Sequence, residues 1–184
     1  MADYAAAGKK IEVPELECPT CRVTLRLWSW YERAVREAAR RVIWIRRGRC
    51  PKCKATHALL PDFVHVRRLD TVETLGAEIE LTAARVGTWK ASERLSLPFS
   101  TVRDRRVRGR QRVPWMQQRL AALALTLGVA VAELPPRWAA ALVTLLRAVW
   151  QRSRERLPAE TAGLWRFWNE ICSGRALGRN TSPG

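Results

Sequence analysis

The 184-residue sequence carries 33 lysines and arginines against 17 aspartates and glutamates, a formal net charge of +16, and 47% of it is apolar. That apolar share excludes a wholly disordered polymer and requires at least one packed core. A charge of this size acts through the field it projects onto anionic partners, nucleic acid first and an acidic membrane surface second.

The chain opens with "MADYAAAGKKIEVPELE", which has no apolar run of signal-peptide length, and residues 1–15 read as a flexible N-terminus. Further on, "LAALALTLGVAVAEL" is too short to span a bilayer and "WAAALVTLLRAVW" carries Arg147, so no membrane segment is expected. The reading is a soluble, cytoplasmic, nucleoid-associated protein. In that reducing compartment, paired cysteines point to metal binding or redox chemistry before disulfides.

Residues 16–66 read as a zinc ribbon. Cys18 and Cys21 in "CPTC" match Cys50 and Cys53 in "CPKC", and each pair is spaced to form a knuckle, so that four thiolates would close a tetrahedral shell around a structural Zn2+. Iron in a similar pair of knuckles is the alternative metal. Between the pairs, "RVTLRLWSWY" alternates apolar and polar residues and "RRVIWIRRGRC" is rich in β-branched and aromatic residues, so both read as strands. The intervening "ERAVREAARR" reads as a turn or a short helical excursion. His57 is either a substitute ligand or, more simply, a residue packed beside the site, and Cys172 reads as a buried apolar residue. Four thiolates leave no position for water, and both histidines follow the cysteine pairs rather than preceding them, which excludes zinc hydrolysis and deamination. Arg46, Arg47 and Arg49 with Lys52 and Lys54 flank the second knuckle as phosphate contacts or as solubilising charge.

After residue 66 the period changes. Over residues 70–113, Asp70 is placed to cap a helix with Glu73 as its capping-box partner, and Val72, Leu75, Ile79, Ala83 and Val86 share one face of it. Thr88 is placed to cap a second helix holding Ala91 and Leu95 inward, "SLPFS" forms the turn, and Ser100 caps a third helix beginning "TVRDRRVR". This spacing is that of a helix-turn-helix, whose last helix enters the major groove of DNA. Ser100, Thr101, Arg103 and Asp104 would then face the duplex, Arg103 pairing with a guanine, while Arg105, Arg106, Arg108, Arg110 and Arg112 run along the phosphates. Gly109 suggests that the helix frays there.

From Pro114 to residue 173 the sequence again reads as helices, with Trp138, Leu142, Leu145 and Val149 at helical spacing and Trp150, Trp165 and Trp168 adding apolar area. Their apolar faces need a partner, either within the chain or across a homodimer interface. Residues 174–184 read as a flexible tail.

"KASERLSLPFSTVRD" looks like the helix-turn-helix of bacterial recombinases and insertion-sequence transposases. With "RCPKCKATHALLP" before it and "ICSGRALGRNTSPG" at the end, the chain resembles a family of uncharacterised bacterial proteins that join a zinc ribbon to a helix-turn-helix, similar to the DNA-binding heads of some transposases. The resemblance implies a mainly α fold with a small N-terminal β zinc ribbon, a homeodomain-like or recombinase-like trihelical unit, and binding of double-stranded DNA. One departure stands out. Such third helices anchor themselves with an apolar pair three and four residues after the valine, and here Arg105 and Arg106 stand in those places.

The expectation is therefore a non-enzymatic, sequence-specific DNA-binding protein, either a transcription regulator or a mobile-element accessory factor. A DNA-binding remnant or subunit of a transposase is one alternative, and a zinc-ribbon module that docks on protein or RNA is another. Transposase or nuclease chemistry needs carboxylates converging on two metal ions, and the only aspartates are Asp3, Asp62, Asp70 and Asp104.

Overall fold

A computed structural model of the chain describes residues 1–37, 39–130, 133–155 and 163–172. Its elements are, in order, helix α1 (Ala2–Ala7), strands β1 (Arg26–Arg36), β2 (Arg40–Arg49) and β3 (Thr56–Leu59), and helices α2 (Val72–Ala83), α3 (Thr88–Leu95), α4 (Phe99–Leu127), α5 (Trp138–Arg154) and α6 (Leu164–Ile171). The architecture is mainly helical with a small N-terminal sheet, as expected.

The sheet is antiparallel in the order β1-β2-β3. Paired residues run from Arg26 opposite Arg49 to Arg36 opposite Arg40, so "ERAVR" is strand rather than helix. β-branched residues on β2 explain this: Ile43 and Ile45 turn inward at period two and bury fully with Val35 of β1. Sequence reading did not find β3, whose four residues are too few to show a period. At the start of the chain Met1 and, from α1, Tyr4 and Ala5 pack on the inner sheet face, and the Tyr4 hydroxyl donates to the carbonyl of Trp44 at 3.1 Å.

The segment between sheet and helices is tied from several sides. Arg33 of β1 donates to the carbonyls of His65 and Arg68 at 2.7 and 2.8 Å. The backbone of Arg36 receives Thr71 N–H at 3.0 Å and donates to Leu69 at 2.7 Å. From α6, Asn169 donates to the carbonyls of Asp62 and Val64, and Arg166 pairs with Asp62 and Glu73.

Helices α2, α4, α5 and α6 share one apolar core that includes Leu75, Met116, Leu120, Leu142, Leu146 and Trp168. The apolar faces of α5 and α6, which the sequence left in need of a partner, find it within the chain. Gly76 is what lets α6 approach, because a Cβ there would stand 2.1 Å from the ring of Trp165. Gly109 has the same role against Trp138, 2.9 Å from where its Cβ would lie. Packing thus explains Gly109, and the helix does not end there: α4 is 29 residues long and runs on through Pro114 to Leu127. The division expected between residues 113 and 114 falls inside it. The tail 174–184 lies outside the described residues.

Capping differs from expectation at each helix of the middle segment. The N-cap of α2 is Thr71, whose side chain accepts from Thr74 N–H, and α3 and α4 begin after Gly87 and Pro98. Asp70 does not cap because it is spent on arginine. Arg36 meets it at 2.7 Å from β1, and Arg105 of α4 pairs with it on the other side while reaching Glu78 of α2 at 3.1 Å. Arg105 is only 5% exposed. The position where an apolar anchor was expected is filled by a buried ion-pair network, and burial of one charge is offset by two carboxylates of opposite sign.

Two buried groups titrate in opposite senses. Burial depresses His65 to about 4, with the charges of Arg68, Arg33 and Arg112 acting the same way and its hydrogen bond to the Val66 carbonyl acting against them. Burial raises Glu78 to about 7, against the pull of Arg105. Neutral His65 therefore contributes stability that is lost as pH falls from 6.5 through 4. Glu78 contributes stability that is present at low pH and lost as pH rises through about 7.

Two outcomes follow in urea unfolding of the full chain. Arg105→Ala, which leaves Glu78 buried without a cation and Asp70 with Arg36 alone, costs about 3–5 kcal/mol, whereas Arg103→Ala on the same helix costs under about 0.5 kcal/mol; equal costs would mean that the network does not hold α4. His65→Gln gains stability relative to wild type only below about pH 6.5, by at most about 1.4 kcal/mol per pH unit. A difference independent of pH would show that His65 is not held neutral by its surroundings.

Candidate metal centre and basic surface

The two C-P-x-C units fold into the same shape twice. In each, the first cysteine's carbonyl accepts the N–H of the residue after the second cysteine, Arg22 at 2.9 Å and Lys54 at 3.0 Å. In each, the first cysteine's N–H donates onward, to Val23 and Ala55, both at 2.9 Å. Arg22 and Lys54 accordingly sit at φ 54° and 62°, the left-handed region, so that the chain doubles back over its sulfurs. The first knuckle feeds β1 through a bridge between Glu17 and Thr24, and the second forms the turn from β2 to β3. Antiparallel pairing of β1 with β2 then brings the two knuckles together at one end of the sheet.

The result is a cluster in which the Sγ atoms of Cys18, Cys21, Cys50 and Cys53 all lie within 4.8 Å of one another. A tetrahedral ion with metal–sulfur bonds of about 2.3 Å has sulfurs about 3.8 Å apart, and Cys18 and Cys53 are separated by 3.8 Å. Distance and donor set both fit a metal ion. Within the cluster the thiols share protons: burial pushes the Cys50 thiol up, but the N–H groups of Cys53 and Lys52 and the thiols of Cys53 and Cys18 more than reverse this, lowering it to about 6, while burial and hydrogen bonds with Cys53, Cys50 and Cys18 push the Cys21 thiol up to about 12. His57 Nε2 stands 3.6 Å from Cys18 Sγ, beside the four-sulfur set. Cys172 is buried in the helical core, and burial raises its thiol to about 12.

The cations flanking the second knuckle are pinned rather than loose. Arg46, Arg47 and Arg49 stack over Trp30, Tyr31 and Trp28 at 4.7, 5.7 and 5.0 Å. Lys52 is exposed, and Lys54 donates to the carbonyl of Pro51. Trp28 itself is 61% exposed.

On α4 the expected DNA contacts divide by face. Ser100, Arg103, Asp104 and Arg110 are exposed, with Arg103 paired to Asp104 at 3.0 Å, while Thr101, Arg108 and Arg112 are half-buried. Arg106 is half-buried as well and donates to Thr88 Oγ1 at 3.2 Å, at the start of α3. Arg105 is the correction. Its guanidinium is committed to Asp70 and Glu78, so it is not available for the phosphate contact expected of it. Two residues that sequence reading passed over, Val107 and Gln111, lie exposed in line with Arg103, Asp104 and Arg110. Their helical spacing was the signal that would have found them.

Residues 18–85 match the family model described as a domain of unknown function, DUF6431. The match takes in both knuckles, the three strands and α2, and stops before α3. No curated protein and no solved structure matches the chain. No helix among the described residues is long and apolar enough to cross a membrane.

One metal ion per chain is the expected result of elemental analysis. Its removal by a strong chelator should expose four reactive thiols while leaving the helical far-UV signal in place, since the core around Cys18, Leu25, Cys50 and Leu59 shares no residue with the helical core. His57→Ala should keep the stoichiometry but weaken metal affinity about 10–100-fold; loss of the ion altogether would make His57 a ligand.

Proposed function

We propose that the chain is a non-enzymatic, sequence-specific DNA-binding protein, in which a structural Zn2+ holds the N-terminal sheet as a zinc ribbon and α3, its three-residue turn and α4 act as a helix-turn-helix. Four thiolates fill the shell of the ion and leave no position for water, so the metal's part is to fix shape.

One observation carries the reading. Ser100, Arg103, Asp104, Val107, Arg110 and Gln111 form a continuous exposed stripe on α4, while Val102, Arg105, Gly109 and Val113 on the opposite side are buried. A helix held along its back and exposed along its front, on a chain of net charge +16, suits insertion into a groove of a polyanion. Arg103 has the fork geometry for a guanine, and Val107 offers an apolar surface for a thymine methyl. The turn before it is rigid: Ser96 takes the left-handed conformation at φ 50°, and Leu97 packs with Ala91 and Val102. Support for a non-enzymatic role comes from the aspartates, because Asp62, Asp70 and Asp104 are each paired with arginine rather than converging on one another.

Selection of bound duplexes from a random pool by metal-loaded protein at about 150 mM salt, where specific binding stands clear of the electrostatic background, should enrich one motif. Arg103→Ala should cost about 1–3 kcal/mol and relax the preference at one position. Binding that only tracks ionic strength, with no motif enriched, would reduce the basic charge to a non-specific role and refute the assignment of α4.

A further inference from the structure

A cavity of about 270 Å³ opens where the sheet meets the start of α4. Arg36 of β1, Arg67 and Arg68 of the connecting segment, and Ser100, Thr101 and Arg108 of α4 line it, together with one edge of the Asp70–Arg105 pair and Asp104. Five guanidinium groups against two carboxylates leave the wall strongly positive. The carboxylates are also occupied, Asp70 by Arg36 and Arg105 and Asp104 by Arg103. No carboxylate among the described residues pairs with Arg67 or Arg108.

Three further features point to an anion. The Nε of Arg108 has no hydrogen-bond acceptor among the described residues, which leaves that guanidinium uncommitted. Helix α4 starts after Pro98 with no side-chain cap, so its first-turn N–H groups and the positive end of its dipole have no anionic side chain of their own. Arg67 is held at φ 57°, a backbone strain that places arginine where glycine would sit more easily.

We infer that this cavity is an anion site for a single phosphate group, its oxygens accepting from the guanidinium groups of Arg67 and Arg108, the hydroxyls of Ser100 and Thr101 and the start of α4. On the DNA-binding reading above, on which this identification of the ligand rests, the group is a backbone phosphate beside the groove that α4 enters. The connecting segment and α4 then grip the same phosphate, which sets the ribbon attached to that segment at a fixed place on the duplex.

The test uses the metal-loaded full chain and two variants. Arg67→Gly removes one guanidinium while easing the left-handed backbone, so it is expected to fold. Arg67→Gly with Arg108→Gln removes both. Duplex affinity is measured against salt concentration, and melting temperature is measured in inorganic phosphate and in chloride at equal ionic strength. Because both arginines serve one phosphate, the slope of log affinity against log salt should fall by about 1 in the double variant, not 2. The phosphate-dependent rise in melting temperature of the wild type should shrink in Arg67→Gly and vanish in the double variant. An unchanged slope and an unchanged response to phosphate would overturn the site while leaving DNA binding intact. A wild type that binds no duplex but shows the arginine-dependent response to phosphate would refute the DNA reading and make the ligand a small phosphate compound. No response to phosphate together with no duplex binding would refute both.

Discussion

Arg105 cannot be buried alone. Moving a guanidinium out of water costs several kcal/mol unless anions surround it, and here those anions come from two different parts of the chain, Asp70 at the end of the connecting segment and Glu78 on α2. Asp70 in turn holds Arg36 at the far end of β1. A single network therefore joins strand, connector and two helices, and each member is satisfied only when the others are in place. An apolar anchor at position 105 would have held α4 against α2 but had no means of specifying where the sheet docks.

The rest of the architecture follows from that junction. One end of the hairpin is closed by four cysteines, and the other is fixed beside α2 and α4 by Arg36 and by backbone bonds to Leu69 and Thr71. Helix α6 locks the connector from outside through Asn169 and Arg166, and it can lie close because Gly76 leaves room for Trp165. The cluster around the cysteines and the helical core are separate hydrophobic clusters, so the four-sulfur end of the molecule is built apart from the end that packing and buried charge decide.

This division bears on function. The proposed base-reading role of α4 requires its opposite face to be committed to the protein, and Val102, Arg105, Gly109 and Val113 are turned inward there. Arginines in a run are not equivalent under such a constraint. Arg103 and Arg110 point to solvent, Arg106 bridges to α3, and Arg105 is structural. The Arg67 and Arg108 cavity lies on the side of α4 that faces the sheet, so the two proposed contact regions are held in one geometry by the same network.

The four-cysteine cluster was legible in the sequence, because the C-P-x-C spacing fixes a local knuckle and strand-like residues between two knuckles bring them together. Helices α2, α3 and α5 were legible through their apolar periodicity for the same local reason. Three things were decided only by tertiary structure. Arg105 reads as one more cation in a basic run until Asp70 and Glu78, distant in sequence, close around it. Asp70 reads as a helix cap until Arg36 and Arg105 claim it and Thr71 takes over the end of α2. Gly109 and Pro114 read as the end of a helix until Trp138 packs over the glycine and α4 continues past both. Local spacing determines which elements form; which charged residues are spent in holding them together depends on partners that only the folded chain brings within reach.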